Sequence, residues 1–124
     1  MTRKAFHLEF PAGSLPLGQP PVSAVRMGDL VFTSGVPGVN ARTGELSADV
    51  ETQFAQAFDN LTALLAKAGA GPDAIGLVTV YTPDRSGRAF INKPWLALFP
   101  GDNRPARKTN HAPLPQGLAV QVQA

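Results

Sequence analysis

Val50-Glu51-Thr52-Gln53-Phe54-Ala55-Gln56-Ala57-Phe58-Asp59-Asn60-Leu61-Thr62-Ala63-Leu64-Leu65-Ala66-Lys67-Ala68 is followed, after the glycine-rich interval 69–76, by Leu77-Val78-Thr79-Val80-Tyr81. In the first stretch Val50, Phe54, Ala57, Phe58, Leu61, Leu64, Leu65 and Ala68 recur at three- and four-residue steps, which predicts an amphipathic helix. Asp49 is suited to cap it, Glu51 suits the positive helix start, and Gly69 or Gly71 ends it. The second stretch reads as a strand over 74–82, apolar on both faces, stopped by Pro83-Asp84. A one-faced helix feeding a two-faced strand points to a layered α+β domain.

The flanking sequence extends the pattern. Residues 5–10 alternate weakly, as a short edge strand does. Residues 11–21 hold four prolines and two glycines and read as loop. Val22–Met27 and Asp29–Thr33 form a predicted hairpin around Gly28; Ser34-Gly35-Val36-Pro37-Gly38 ends it, and Asn40–Gly44 is a turn. A second helix is expected over 88–99, burying Phe90, Ile91, Trp95, Leu98 and Phe99, with Pro94 near its start. Strands at 106–112 and 118–123 complete one mixed sheet with two helices on one face. Two helices cover one face only, so the other face of the central strand needs a partner, and a symmetric homo-oligomer is the usual answer.

Composition agrees with one domain over residues 1–124: 44% of residues are apolar and 16% charged. No apolar run approaches the roughly 20 residues that span a bilayer. The basic N-terminus runs into Glu9 and Pro11 rather than an apolar core, so a cytoplasmic protein is expected. The absence of cysteine excludes disulfide and thiolate chemistry. Net charge is only +2, yet Arg85, Arg88, Lys93, Arg104, Arg107 and Lys108 face a single acid, Asp102, between positions 85 and 108. Such a stretch draws anions, whether phosphates on a polymer or carboxylates on a metabolite.

No metal site is expected, because His7 and His111 are far apart in sequence and have no cysteine or carboxylate cluster beside them. No nucleophile elbow surrounds Ser34, and no phosphate-binding glycine loop occurs. Arg107, on a strand after Phe99-Pro100-Gly101, is a planar fork suited to grip a carboxylate, or else a surface residue with a salt-bridge partner. Ser34-Gly35 offers a hydroxyl beside backbone a ligand can approach closely, or simply ends a strand. Asn92 presents an amide to a pocket or to solvent.

Together, Gly28-Asp29-Leu30-Val31-Phe32-Thr33-Ser34-Gly35, Thr43-Gly44-Glu45-Leu46, Gln53 with Asn60-Leu61, Ala68-Gly69, Val78-Thr79-Val80-Tyr81, Asn92 with Trp95, Phe99-Pro100-Gly101, Pro105-Ala106-Arg107 and Leu114-Pro115 resemble the RidA (YjgF) family. The resemblance runs from about residue 22 to the end, in order. It implies a chorismate-mutase-like fold in which the sheets of three subunits pack into a central barrel, with ligand clefts between neighbours. Better-known members hydrolyse reactive imines and enamines of amino acids to 2-keto acids and ammonia without a cofactor. The family's carboxylate-holding arginine matches Arg107, its Ser-Gly serine Ser34 and its helix asparagine Asn92.

Two positions depart from the family. Pro21 stands where well-studied members carry a tyrosine, and Gln121 where they carry a glutamate thought to position or activate water. The expected site is therefore Arg107 on the carboxylate, Ser34 and Gly35 orienting the substrate, Asn92 lining the cleft and Gln121 holding water. The expected partner is a small carboxylate-bearing metabolite, with no membrane. A non-catalytic 2-keto acid binder on the same scaffold is the alternative; RNA binding or cleavage has only the basic stretch behind it.

Overall fold

The computed structural model describes residues 2–10, 22–115 and 117–124. Pro21 lies outside them, as does the expected loop over 11–21. Among the described residues the strands are β1 (Lys4–Phe6), β2 (Ala24–Met27), β3 (Leu30–Thr33), β4 (Val36–Pro37), β5 (Leu77–Thr82), β6 (Ala106–His111) and β7 (Gln121–Gln123). The α-helices are α1 (Val50–Lys67) and α2 (Asn92–Leu98).

The helix predicted from its apolar spacing is α1. The Asp49 carboxylate accepts from Thr52 N at 3.2 Å and from Thr52 Oγ1 at 2.6 Å, satisfying its first turn. At the other end Gly69 adopts φ 81°, with Gly69 N donating to Ala66 O and Ala70 N to Leu65 O. That double closure is a Schellman motif, and the positive φ is why glycine stands there. The second predicted helix is broken in two: Arg85–Phe90 winds as a 3₁₀ helix and α2 begins only at Asn92. Pro94 falls in the first turn of α2, where its missing N–H has no intrahelical acceptor to lose.

The expectation of one mixed sheet is corrected. The strands form an antiparallel sheet β1-β2-β3 and a mixed sheet β4-β7-β5-β6, whose one parallel pair is β5 with β6. The sheets meet where Thr33 N donates to Ala124 O at 2.8 Å. Strand β4, expected as a turn, pairs Val36 with Val122 and Pro37 with Gln121. Strands expected at 5–10, 106–112 and 118–123 are shorter than their apolar pattern, because ladder pairing ends at Phe6, ends at His111 and begins at Gln121.

Val78, Val80 and Val122 face the helices and join Phe54, Phe58, Leu61, Leu64, Ile91 and Trp95 in one buried core. On the far face Leu77 is 51% exposed and Thr79, Tyr81, Gln121 and Gln123 are half-buried. With Leu30 at 64% and Phe32 at 55% beside it, that surface has more open apolar area than scattered residues need.

Two buried amides tie the loops to α1. Gln53 Nε2 donates to Ser47 O (2.8 Å) and Gly117 O (3.0 Å), and its Oε1 accepts from Ala119 N (2.8 Å). Asn60 Nδ2 donates to Pro37 O (2.9 Å) and Val39 O (2.8 Å). Replacing Asn60 by Leu strands two buried carbonyls, each costing about 1–3 kcal/mol. Urea denaturation of Asn60→Leu should show a loss of about 2–4 kcal/mol; an unchanged midpoint would mean water replaces the amide.

Candidate functional site

Arg107 is the second residue of the edge strand β6 and pairs with Val78, so its side chain leaves the sheet on the helix face. There the guanidinium carbon stands 5.0 Å from the centroid of the Trp95 ring. Arg107 Nη1 donates to Asn92 Oδ1 at 2.9 Å. Trp95, only 6% exposed, is held from behind by an edge-on contact with Phe99, the ring centroids 4.7 Å apart. The ring and the amide together restrict where the guanidinium sits. Arg107 is nonetheless exposed, so its remaining N–H groups face outward as a preset fork.

Ser34, Gly35 and Gln121 form a second group. Ser34 Oγ donates to Val22 O at 2.7 Å, which leaves its lone pairs for an incoming donor. Gly35 lies directly against the Gln121 side chain: a Cβ there would overlap Oε1 and come within 3.1 Å of Cδ. A larger residue here would push the Gln121 amide out of its present place. Gln121 itself pairs with Pro37 and Tyr81 and projects to the sheet face opposite Val122.

The structure thus joins Arg107 to Asn92, and Gln121 to Gly35, but keeps the two groups apart. They lie on opposite faces of the sheet, with β5 between their strands, about 10 Å of strand spacing. Alternation in the last strand already sets Gln121 opposite buried Val120 and Val122, but its face relative to Arg107 depends on the register of both strands on β5. Trp95, read from its periodicity as a core residue, also serves as the platform for Arg107. The only sequence signal for that second role is its position one turn after Asn92.

Three cations of the basic stretch have local partners, one of them an acid. Lys93 pairs with Glu51 at 3.1 Å, Arg104 Nε donates to Phe99 O at 2.9 Å, and Arg88 Nε donates to His111 Nε2 at 3.2 Å. Trp95 is buried and half-buried Phe90 packs on Phe54, so both aromatics of this stretch serve the core.

The family described as Endoribonuclease L-PSP matches residues 17–124. A RutC family protein from Haemophilus influenzae is 36% identical over 109 residues, covering 85% of this chain and 84% of the relative. A 2-iminobutanoate/2-iminopropanoate deaminase from Escherichia coli is 35% identical over 108 residues, with the same coverage. The crystal structure of E. coli TdcF with bound serine superposes with a TM-score of 0.83 at 30% identity, over 98% of this chain and 95% of that one. Sequence match and superposition span the same elements that carry Ser34, Asn92, Arg107 and Gln121, and on those grounds the chain belongs to the endoribonuclease L-PSP family, known also as RidA or YjgF.

Proposed function

We propose that this protein hydrolyses reactive 2-imino acids, and the enamines that tautomerise to them, to 2-keto acids and ammonia. The observation that carries the reading is Arg107, exposed yet locked by Trp95 and Asn92 in a carboxylate-ready pose. The E. coli relative named as an imine deaminase and the serine-bound TdcF structure support an amino-acid-sized ligand.

In the proposed reaction Arg107 grips the substrate carboxylate and Asn92 keeps the fork aligned. Water adds to the C=N carbon; the resulting carbinolamine expels ammonia and leaves the keto group. Gln121 orients the water through Oε1 but cannot remove its proton, since an amide is no base at neutral pH. Ser34 and the backbone at Gly35 orient the substrate's nitrogen end.

One chain cannot bring Arg107 to Gln121, because they occupy opposite faces. Three copies, with their open sheet faces forming a central barrel, would set Arg107 of one subunit against Ser34, Gly35 and Gln121 of the next. The open surface around Leu30, Phe32 and Leu77 supports this single-domain homotrimer, which would act in the cytoplasm and without a cofactor. Sedimentation equilibrium should then return three times the chain mass.

The activity test is release of keto acid from imines generated in situ by an amino-acid oxidase. The native protein should accelerate it above the spontaneous rate, whereas no acceleration, with 2-keto acids still bound, would favour a non-catalytic binder. Gln121 is the observation behind that second reading.

A further inference from the structure

The helix face of β6 carries more than Arg107. Thr109 and His111 follow at alternate positions and share its side of the strand. Opposite them run the 3₁₀ helix Arg85–Phe90 and α2, in which Arg88 stands four residues before Asn92. Two side-chain bonds bridge the gap: Arg107 to Asn92 at 2.9 Å and Arg88 to His111 at 3.2 Å. The two segments therefore run antiparallel, joined by these two bonds as rungs, with half-buried Thr109 between them on the strand.

Each rung ends in an exposed guanidinium. Arg88 uses Nε on His111, which leaves both terminal amino groups to project onward. Four residues of strand separate the rungs by about 13 Å on one side, and four residues of mostly 3₁₀ helix by about 6–8 Å on the other. The nearest acid in sequence, Asp84, is occupied as a cap, its Oδ1 accepting from Ser86 N at 3.1 Å. Among the described residues the single ion pair, Lys93 with Glu51, involves neither arginine.

We propose that Arg88 is a distal anion site which, together with Arg107, selects 2-imino acids bearing a second carboxylate on the side chain. This rests on the deaminase reading, whose carboxylate clamp supplies the first anchor. A small apolar side chain gives Arg88 nothing, whereas a side-chain carboxylate adds a charge-assisted pair.

Calorimetry with 2-oxoglutarate and 2-oxobutanoate as product probes tests this on the native protein and on Arg88→Gln. The native protein should bind the dicarboxylate at least about tenfold tighter, a margin of about 1.4 kcal/mol. Arg88→Gln should bring that ratio to about one, while Arg88→Glu should invert it. Equal affinities in the native protein, or a preference that survives Arg88→Gln, overturn the distal site. If 2-oxobutanoate binds and its imine is hydrolysed without any dicarboxylate preference, the distal site alone falls. If neither probe binds and no imine is hydrolysed, the deaminase reading falls and the distal site with it.

Discussion

Arg107→Ala is expected to lower kcat/KM for imine hydrolysis by about 10²–10³-fold, the size of effect produced by truncating one partner of a desolvated charge pair. The fold should survive. Arg107 is exposed on an edge strand, and the stacking on Trp95 that it gives up is worth about 0.5–1 kcal/mol at such a site. Affinity for 2-oxobutanoate should fall in parallel, since the same fork holds substrate and product. Arg107→Lys keeps the charge but loses the planar, bidentate geometry that Trp95 and Asn92 set up, so it should recover only a small part of the loss. Asn92→Ala frees the guanidinium to rotate and should raise KM without abolishing turnover. Undiminished hydrolysis by a folded Arg107→Ala protein would remove the carboxylate clamp from the mechanism.

The sequence made α1 legible from end to end because its cap, its apolar stripe and its terminating glycine agree with one another. The β2–β3 hairpin was legible for the same reason, a turn residue set between two apolar runs. Strand β4 was hidden: two residues, one of them proline, carry no periodicity, and they become a strand only because β7 lies alongside. The division into two sheets was hidden too, since pairing partners are chosen by tertiary contact rather than by local pattern. At the site, residue identities were readable from motifs, whereas their grouping was not. Whether Arg107 and Gln121 share a face depends on the register of β6 on β5 and of β7 on β5, which no run of residues encodes by itself. The Arg88–His111 rung was invisible for the same reason, its partners lying 23 positions apart.

Gln121→Glu is expected to raise kcat on the order of 10²-fold, the lower end of what a positioned general base contributes. The lower end applies because imine hydrolysis is intrinsically easy and part of its barrier is already met by orienting water. Gln and Glu have the same shape, so the carboxylate should occupy the space over Gly35 that the amide fills now. KM should change little, because Arg107 rather than residue 121 carries the binding energy. The variant should also acquire a pH-dependent rate component from residue 121 that an amide does not supply. The base works only while ionised, so the added rate should persist above the carboxylate range, near pH 4–5, and be lost as pH falls through it, about where a glutamate titrates. A gain with that acid limb would place water at residue 121. A gain starting from a silent native protein would identify a binder that lacks only its base. Unchanged kcat in an active protein would mean that the water sits elsewhere and that Gln121 serves packing against Gly35.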